Sequence, residues 1–230
     1  MRVLLGVAIC AAIGLAGTAR VAAQDADRVI PGGGIHVQGW TSKIDAGSVR
    51  QGRQLNDAKF DQEGANLHVT TGPATTFWNP ANMATGDYTI KATFTEPRFM
   101  DLNSHPHSYG IFIGGNDMGT DKMSLVYCVA YGSGQALIRG FGPAVFTLLN
   151  QSNQAPVHKA AAVGQPVTQE IQWTVKGGRA ECSINGTVIA GYDKAQLVAD
   201  GKLKSTDGVY GIRFTHNVEA VIAGFSMKKN

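Results

Sequence analysis

His105 and His107, separated only by Pro106, form the densest histidine cluster in the 230-residue chain. Imidazole can ligate a transition metal or take a proton near neutral pH. Spacing alone names no third ligand. A solvated loop, stiffened by Pro106 and leading into the strand at Tyr109, is the reading favoured, so no metal is assigned. Asn116, Asp117 and Asp121 in "NDMGTD" carry oxygens that suit a structural calcium. Polar turn chemistry explains the same residues and is commoner, so no cofactor is assigned. Arg139 in "ALIRGF" and Arg213 in "GIRFTH" lie within strand-forming runs. A guanidinium fixed on a strand presents a planar fork of donors that clamps hydroxyls or a carboxylate. Tyr109, Tyr127 and Trp78 offer flat apolar platforms for the C–H faces of a pyranose, if they share a face with either arginine. The candidate ligand-binding set is therefore Arg213, Arg139, Tyr127, Tyr109, Trp78, His107 and His216; no catalytic residue is assigned.

Strands have to position these groups. Tyr88, Ile90, Ala92 and Phe94 alternate with Thr89, Lys91, Thr93 and Thr95, the period of a strand with one dry and one wet face. Between Met123 and Tyr131, both alternating sets are apolar: Leu125, Tyr127 and Val129 against Val126, Cys128 and Ala130. That pattern predicts a strand covered on both sides. Ile171, Trp173 and Val175, then Ala180, Cys182 and Ile184, then Val188 and Ile189, are joined by Gly177-Gly178 and Asn185-Gly186. Both dipeptides tolerate the positive φ of tight hairpins, which predicts a three-stranded meander. Trp173 alternates with aliphatics and reads as core. Tyr210, Ile212 and Phe214 face one way, so Arg213 and Thr215 face the other, and replacing Arg213 is expected to change stability little. Asp193, with Gln196 three residues on, marks one short helix. Gly110, Gly114 and Gly115 precede no helix carrying Lys-Ser/Thr, so they read as close strand packing rather than a phosphate cradle. Many strands, at most one or two short helices and no fixed repeat predict an all-β antiparallel sandwich.

Residues 1–23 read as an export signal: Arg2, an apolar run from Val3 to Gly17, and small residues at Val21-Ala22-Ala23. The run is short of the roughly 20 residues a bilayer span needs, and Cys10 lacks a lipid-attachment context. A soluble exported protein, periplasmic or extracellular and without membrane insertion, is expected. Residues 24–34 contain Pro31-Gly32-Gly33-Gly34 and read as a flexible lead-in, with a single domain over 35–230. The formal charge of +3 comes from 20 basic and 17 acidic side chains, and loss of Arg2 and Arg20 leaves 18 against 17. No basic cluster supports nucleic-acid binding. Cys128 and Cys182 would remain, either as an inter-strand disulfide or as two small buried thiols.

The order of "GDYTIKATFTEP", "SYGIFIGG", "GQALIRGFG", "IQWTVKGGRAECSINGTVI" and "TDGVYGIRFTHN" resembles the concanavalin A-like lectin/glucanase superfamily over about Trp40 to Lys229. Within it, the chain is most similar to bacterial family-16-glycosidase-like domains, also called 3-keto-disaccharide hydrolase-like. The resemblance implies a jelly roll of two curved sheets with any ligand on the concave one. It does not extend to catalysis by a retaining glucanase, because Glu-x-Asp-x-(x)-Glu, which sets two carboxylates on one strand face for double displacement, is missing. The expectation is a secreted carbohydrate-recognition domain. The alternatives are an enzyme acting on a (3-keto-)disaccharide, with His107, His216, Arg213 and Asp117 the groups to inspect, and a non-catalytic envelope interaction domain.

Overall fold

The computed structural model describes residues 26–230. The segment read as an export signal, with Cys10, lies outside the described residues. In chain order the elements are β1 (Gly34–Ile35), β2 (Thr41–Ile44), α1 (Ala46–Arg50), β3 (Lys59–Glu63), β4 (Asn66–Thr70), β5 (Thr75–Ala84) and β6 (Tyr88–Glu96). Then follow β7 (Ser108–Asn116), β8 (Ser124–Tyr131), β9 (Gln135–Phe141) and β10 (Phe146–Asn153). The chain closes through β11 (Val167–Lys176), β12 (Arg179–Ile184), β13 (Thr187–Asp193), α2 (Lys194–Leu197), β14 (Gly208–Phe214) and β15 (Glu219–Lys229). A single 3-10 turn covers Leu55–Asp57.

The strands make two sheets. One has the order β1-β3-β4-β15-β6-β11-β12-β13, the other β10-β9-β8-β7-β14-β5-β2. Pairing is antiparallel except for the short β1–β3 contact. This is the all-β antiparallel sandwich expected from the alternation, in the jelly-roll form that the resemblance implied. β6 and β11 pair so that Ile90 faces Trp173 and Phe94 faces Gln169. Their inward side chains, Tyr88, Ile90, Phe94, Ile171 and Trp173, are fully buried. The indole N–H of Trp173 donates across the sandwich to the carbonyl of Ile111 at 3.1 Å, which satisfies the one polar atom this ring takes into the core. Hairpin geometry follows the turn residues: Gly177 and Gly178 have φ of 58° and 80°, Asn185 and Gly186 have φ of 50° and 80°, as two-residue hairpins require. α2 starts where Asp193 predicted it, with the Gln196 side chain accepting from the Asp193 backbone N–H at 2.8 Å.

Of the two fates open to the cysteines, the disulfide is the one found. Cys128 on β8 is bonded to Cys182 on β12, so the bridge links the two sheets through the core. Residues 26–34, read as a flexible lead-in, are tied to the sandwich: Ile30 N–H donates to Asp57, Gly34 N–H to Ala58, and the Arg28 N–H to the side chain of Asn217. No helix among the described residues is long and apolar enough to cross a membrane.

The outer faces differ in kind. That of the eight-stranded sheet carries Thr89, Lys91, Gln172 and Thr174, an ordinary wet surface. On the seven-stranded sheet, the outer face carries a second apolar cluster of Trp78, Phe112, Leu125, Tyr127, Val129, Tyr131 and Leu137. This explains why β8 is apolar on both alternating sets. Loops cover part of that face, and the candidate site lies among them.

Candidate functional site

Two rows of residues cross the outer face of the seven-stranded sheet. Register places Gly211, Phe112, Tyr127, Arg139 and Thr147 side by side on β14, β7, β8, β9 and β10. One step along stand Arg213, Gly110, Val129 and Leu137. The Arg213 guanidinium reaches over this face until its Cζ lies 5.3 Å from the Tyr127 ring centroid and 5.2 Å from that of Phe141. Those are cation–π distances.

Arg213 is turned away from Tyr210, Ile212 and Phe214, as alternation requires, but it is not a surface residue. Only 2% of it is exposed. Its Nη1 and Nη2 donate to Asp45 Oδ1 and Oδ2 at 2.7 and 2.5 Å, and Nη1 also donates to Thr76 Oγ1 at 3.0 Å. Burial opposes its charge, but the Asp45 carboxylate more than compensates and holds the guanidinium above its ordinary value. The expectation that Arg213 can be replaced at little cost is therefore corrected: it is a buried guanidinium held by a bidentate pair with the part-exposed Asp45. Asp45, which closes β2 and opens α1, is a residue the sequence did not single out, because an acid before a short helix reads as a cap.

The loop before β7 and the turn after β14 bring three histidines together. Ring centroids of His105 and His107 are 4.3 Å apart, and those of His107 and His216 are 4.2 Å apart. One nitrogen from each lies within 4.8 Å of the other two. His216 thus supplies the third partner that spacing could not name, which corrects the solvated-loop reading of His105-Pro106-His107. His216 Nδ1 lies 3.0 Å from Asp27 Oδ1, and Asp27, 6% exposed, accepts at Oδ2 from Ser48 Oγ at 2.6 Å. Asp27 lies in the former lead-in, so docking of that segment completes the cluster.

These groups line one cavity of about 890 Å³, together with Arg53, Tyr131, Leu137, Arg139, Phe141 and Gln151. Burial raises the hydroxyls of Tyr127 and Tyr131 above the ordinary tyrosine value, so both stay donors. Arg139 donates through Nε to Thr147 at 3.2 Å. Among the described residues, no carboxylate pairs with Arg53 or Arg139, whereas both acids in the cavity, Asp27 and Asp45, are engaged.

Of the expected set, Arg139, Arg213, Tyr127, His107 and His216 line this cavity. Tyr109 does not: it points into the core, fully buried, and stacks on Phe94 at 5.5 Å. β7 is apolar on both faces, so alternation alone could not tell which face Tyr109 takes. Trp78 is on the outer face but 4% exposed, packed in the second apolar cluster beside Gly119, and is not part of the cavity lining. Asp117 is also elsewhere. It adopts φ 50° in its turn and pairs with Lys204, while Asp121 pairs with Lys43 at 3.4 Å and Asn116 donates to the Gly114 and Asp207 carbonyls. Turn chemistry accounts for all three. Besides Asp45, the residues missed by sequence reasoning are Asp27, Arg53, Tyr131 and Phe141. Only Tyr131 left a signal, through its alternation with Tyr127.

No family model matches the chain, and no curated protein matches it. Solved structures do. A protein of unknown function with a galectin-like fold from Bacillus subtilis aligns at TM-score 0.53 and 12% identity, over 83% of this chain and 89% of that one. A carbohydrate-binding module from B. subtilis aligns at 0.47 and 8% identity, over 83% and 96% of the two chains. An alginate lyase from Pseudomonas aeruginosa aligns at 0.44 and 12%, over 83% and 98%. At such identities the likeness is one of fold alone, a galectin-like β-sandwich.

Proposed function

We propose that the chain is a carbohydrate-recognition domain whose ligand lies in the cavity on the outer face of the seven-stranded sheet. The observation that carries this reading is the composition of that cavity. Its volume, about 890 Å³, is within the range that holds a small saccharide. Its walls combine aromatic rings (Tyr127, Tyr131, Phe141) with polar forks and amides (Arg53, Arg139, Gln151), the pairing that a pyranose with apolar faces and a polar rim requires. Two arginines without carboxylate partners favour an acidic sugar over a neutral one. Export to the periplasm or the extracellular space belongs to the same reading, supported by the N-terminal apolar segment and by a disulfide, a bond that persists in oxidising compartments. Glycan-array binding and sugar-induced thermal shift test it. Acidic saccharides should score above neutral and amino sugars, and the absence of any response would contradict it.

A second reading is an enzyme acting on sugars, for which convergence of a titratable base with an arginine in one cavity is the distinguishing observation. His105, His107, His216 and Arg139 supply that convergence. The finer similarity to 3-keto-disaccharide hydrolase-like domains belongs with this reading. Turnover of a 3-keto-disaccharide, lost in His107→Ala, would favour it; binding without turnover favours recognition alone.

A further inference from the structure

We infer that His105, His107 and His216 form a binding site for a divalent first-row transition ion, zinc being the reference case, at the edge of the cavity. Three observations support this, none of which depends on the glycan reading. The first is convergence: ligand atoms from the three imidazoles lie within 4.8 Å of one another, from two segments far apart in sequence. A tetrahedral ion with zinc–nitrogen bonds of about 2.0–2.1 Å sets its nitrogens roughly 3.4 Å apart, so the ligand atoms need draw in by no more than about 1.4 Å. The second is orientation. Asp27 engages His216 at Nδ1, and Ser48 in turn holds Asp27. A carboxylate behind a ligating histidine is the arrangement that fixes ring direction and raises ligand basicity. The third is access: all three histidines line the cavity, so a three-nitrogen site leaves its fourth position open toward the same space a ligand would fill. His107 is 4% exposed, so the site sits at the cavity wall and not on a freely solvated loop. Imidazole nitrogens without thiolate or free carboxylate suit zinc, copper or nickel better than calcium or magnesium.

The test is zinc titration by calorimetry of tag-free protein stripped with EDTA, with no sugar present. One equivalent should bind to the wild type. His107→Ala should reduce affinity at least 100-fold, Asp27→Asn should reduce it about 10- to 100-fold, and His36→Ala and His158→Ala should leave it unchanged. Should His107→Ala fail to fold, X-ray absorption of the zinc-loaded wild type decides: scattering from three imidazoles supports the site, and an all-oxygen shell overturns it. Equal binding by His107→Ala, or no binding by the wild type, also overturns it. A protein that binds zinc here but no glycan would contradict only the carbohydrate reading, and one that binds glycan after EDTA but never zinc would contradict only this one.

Discussion

Removing Arg213 would take the counter-charge from Asp45, whose side chain is 31% exposed. Water can reach the carboxylate left behind, so Arg213→Ala should lose about 1–3 kcal/mol in urea unfolding, the worth of the charge-assisted hydrogen bonds it removes. A loss below roughly 1 kcal/mol would mean the pair is not held as described. Glu96, at the end of β6, behaves differently. It is 5% exposed, its Oε2 has no hydrogen-bond partner among the described residues, and burial raises its pKa from 4.5 to about 8 despite a bond from the Met100 backbone. The folded state therefore holds a proton that the unfolded chain releases above about 4.5. Its contribution is complete below that value and is lost as pH rises toward 8. His68, raised from 6.5 to about 9 chiefly by its bond to Glu219 and further by Glu63, adds a contribution of the same sign, present below 6.5 and lost through 9. Stability should therefore fall between pH 5 and 9, and Glu96→Gln should flatten the lower part of that slope; an unchanged slope would show Glu96 to be ionised in the fold. Sequence alternation gave the face of Arg213 correctly. It could not give Asp45, which lies 168 residues away and meets Arg213 only through the β2–β5–β14 register.

Strands, their turns and the meander were legible because each is specified locally: period-two burial on β6, Gly177-Gly178 and Asn185-Gly186 at positive φ. The joining of elements was not. Cys128 and Cys182 sit in different sheets, and only the packing of those sheets makes them partners. Closing a loop across a separation of 54 residues is worth about 4 kcal/mol by chain entropy. Thermal unfolding of Cys128→Ala/Cys182→Ala should therefore occur roughly 8–15 °C lower, given about 2–4 °C per kcal/mol for a domain of this size. A shift under about 2 °C would argue that the sheets are held without the bridge. Loops carry most of the site, with α1, the His105–His107 segment and residues 26–27 arranged around the sheet. Loop residues have no periodicity from which their neighbours can be inferred, which is why His105 and His107 read as solvated until His216 stood beside them.

At the scale of the whole molecule, the two outer faces divide the labour. The eight-stranded sheet presents threonines and lysines to water, while the seven-stranded sheet builds a second apolar layer, roofs it with loops and sets arginines at its rim. Such a face, polar groups converging over buried aromatics, is where a ligand gains most from leaving water. Arg139 separates this account from a purely structural one, since its bond is to an exposed threonine and its loss strands no buried charge. The decisive measurement is the affinity of wild type and Arg139→Ala for the best acidic saccharide from the array, with melting temperatures taken alongside. Losing charge-assisted hydrogen bonds worth about 1.5–3 kcal/mol predicts affinity about 10- to 150-fold weaker and melting within about 1 °C of wild type. Equal affinity in the two proteins would place the ligand elsewhere and contradict the account.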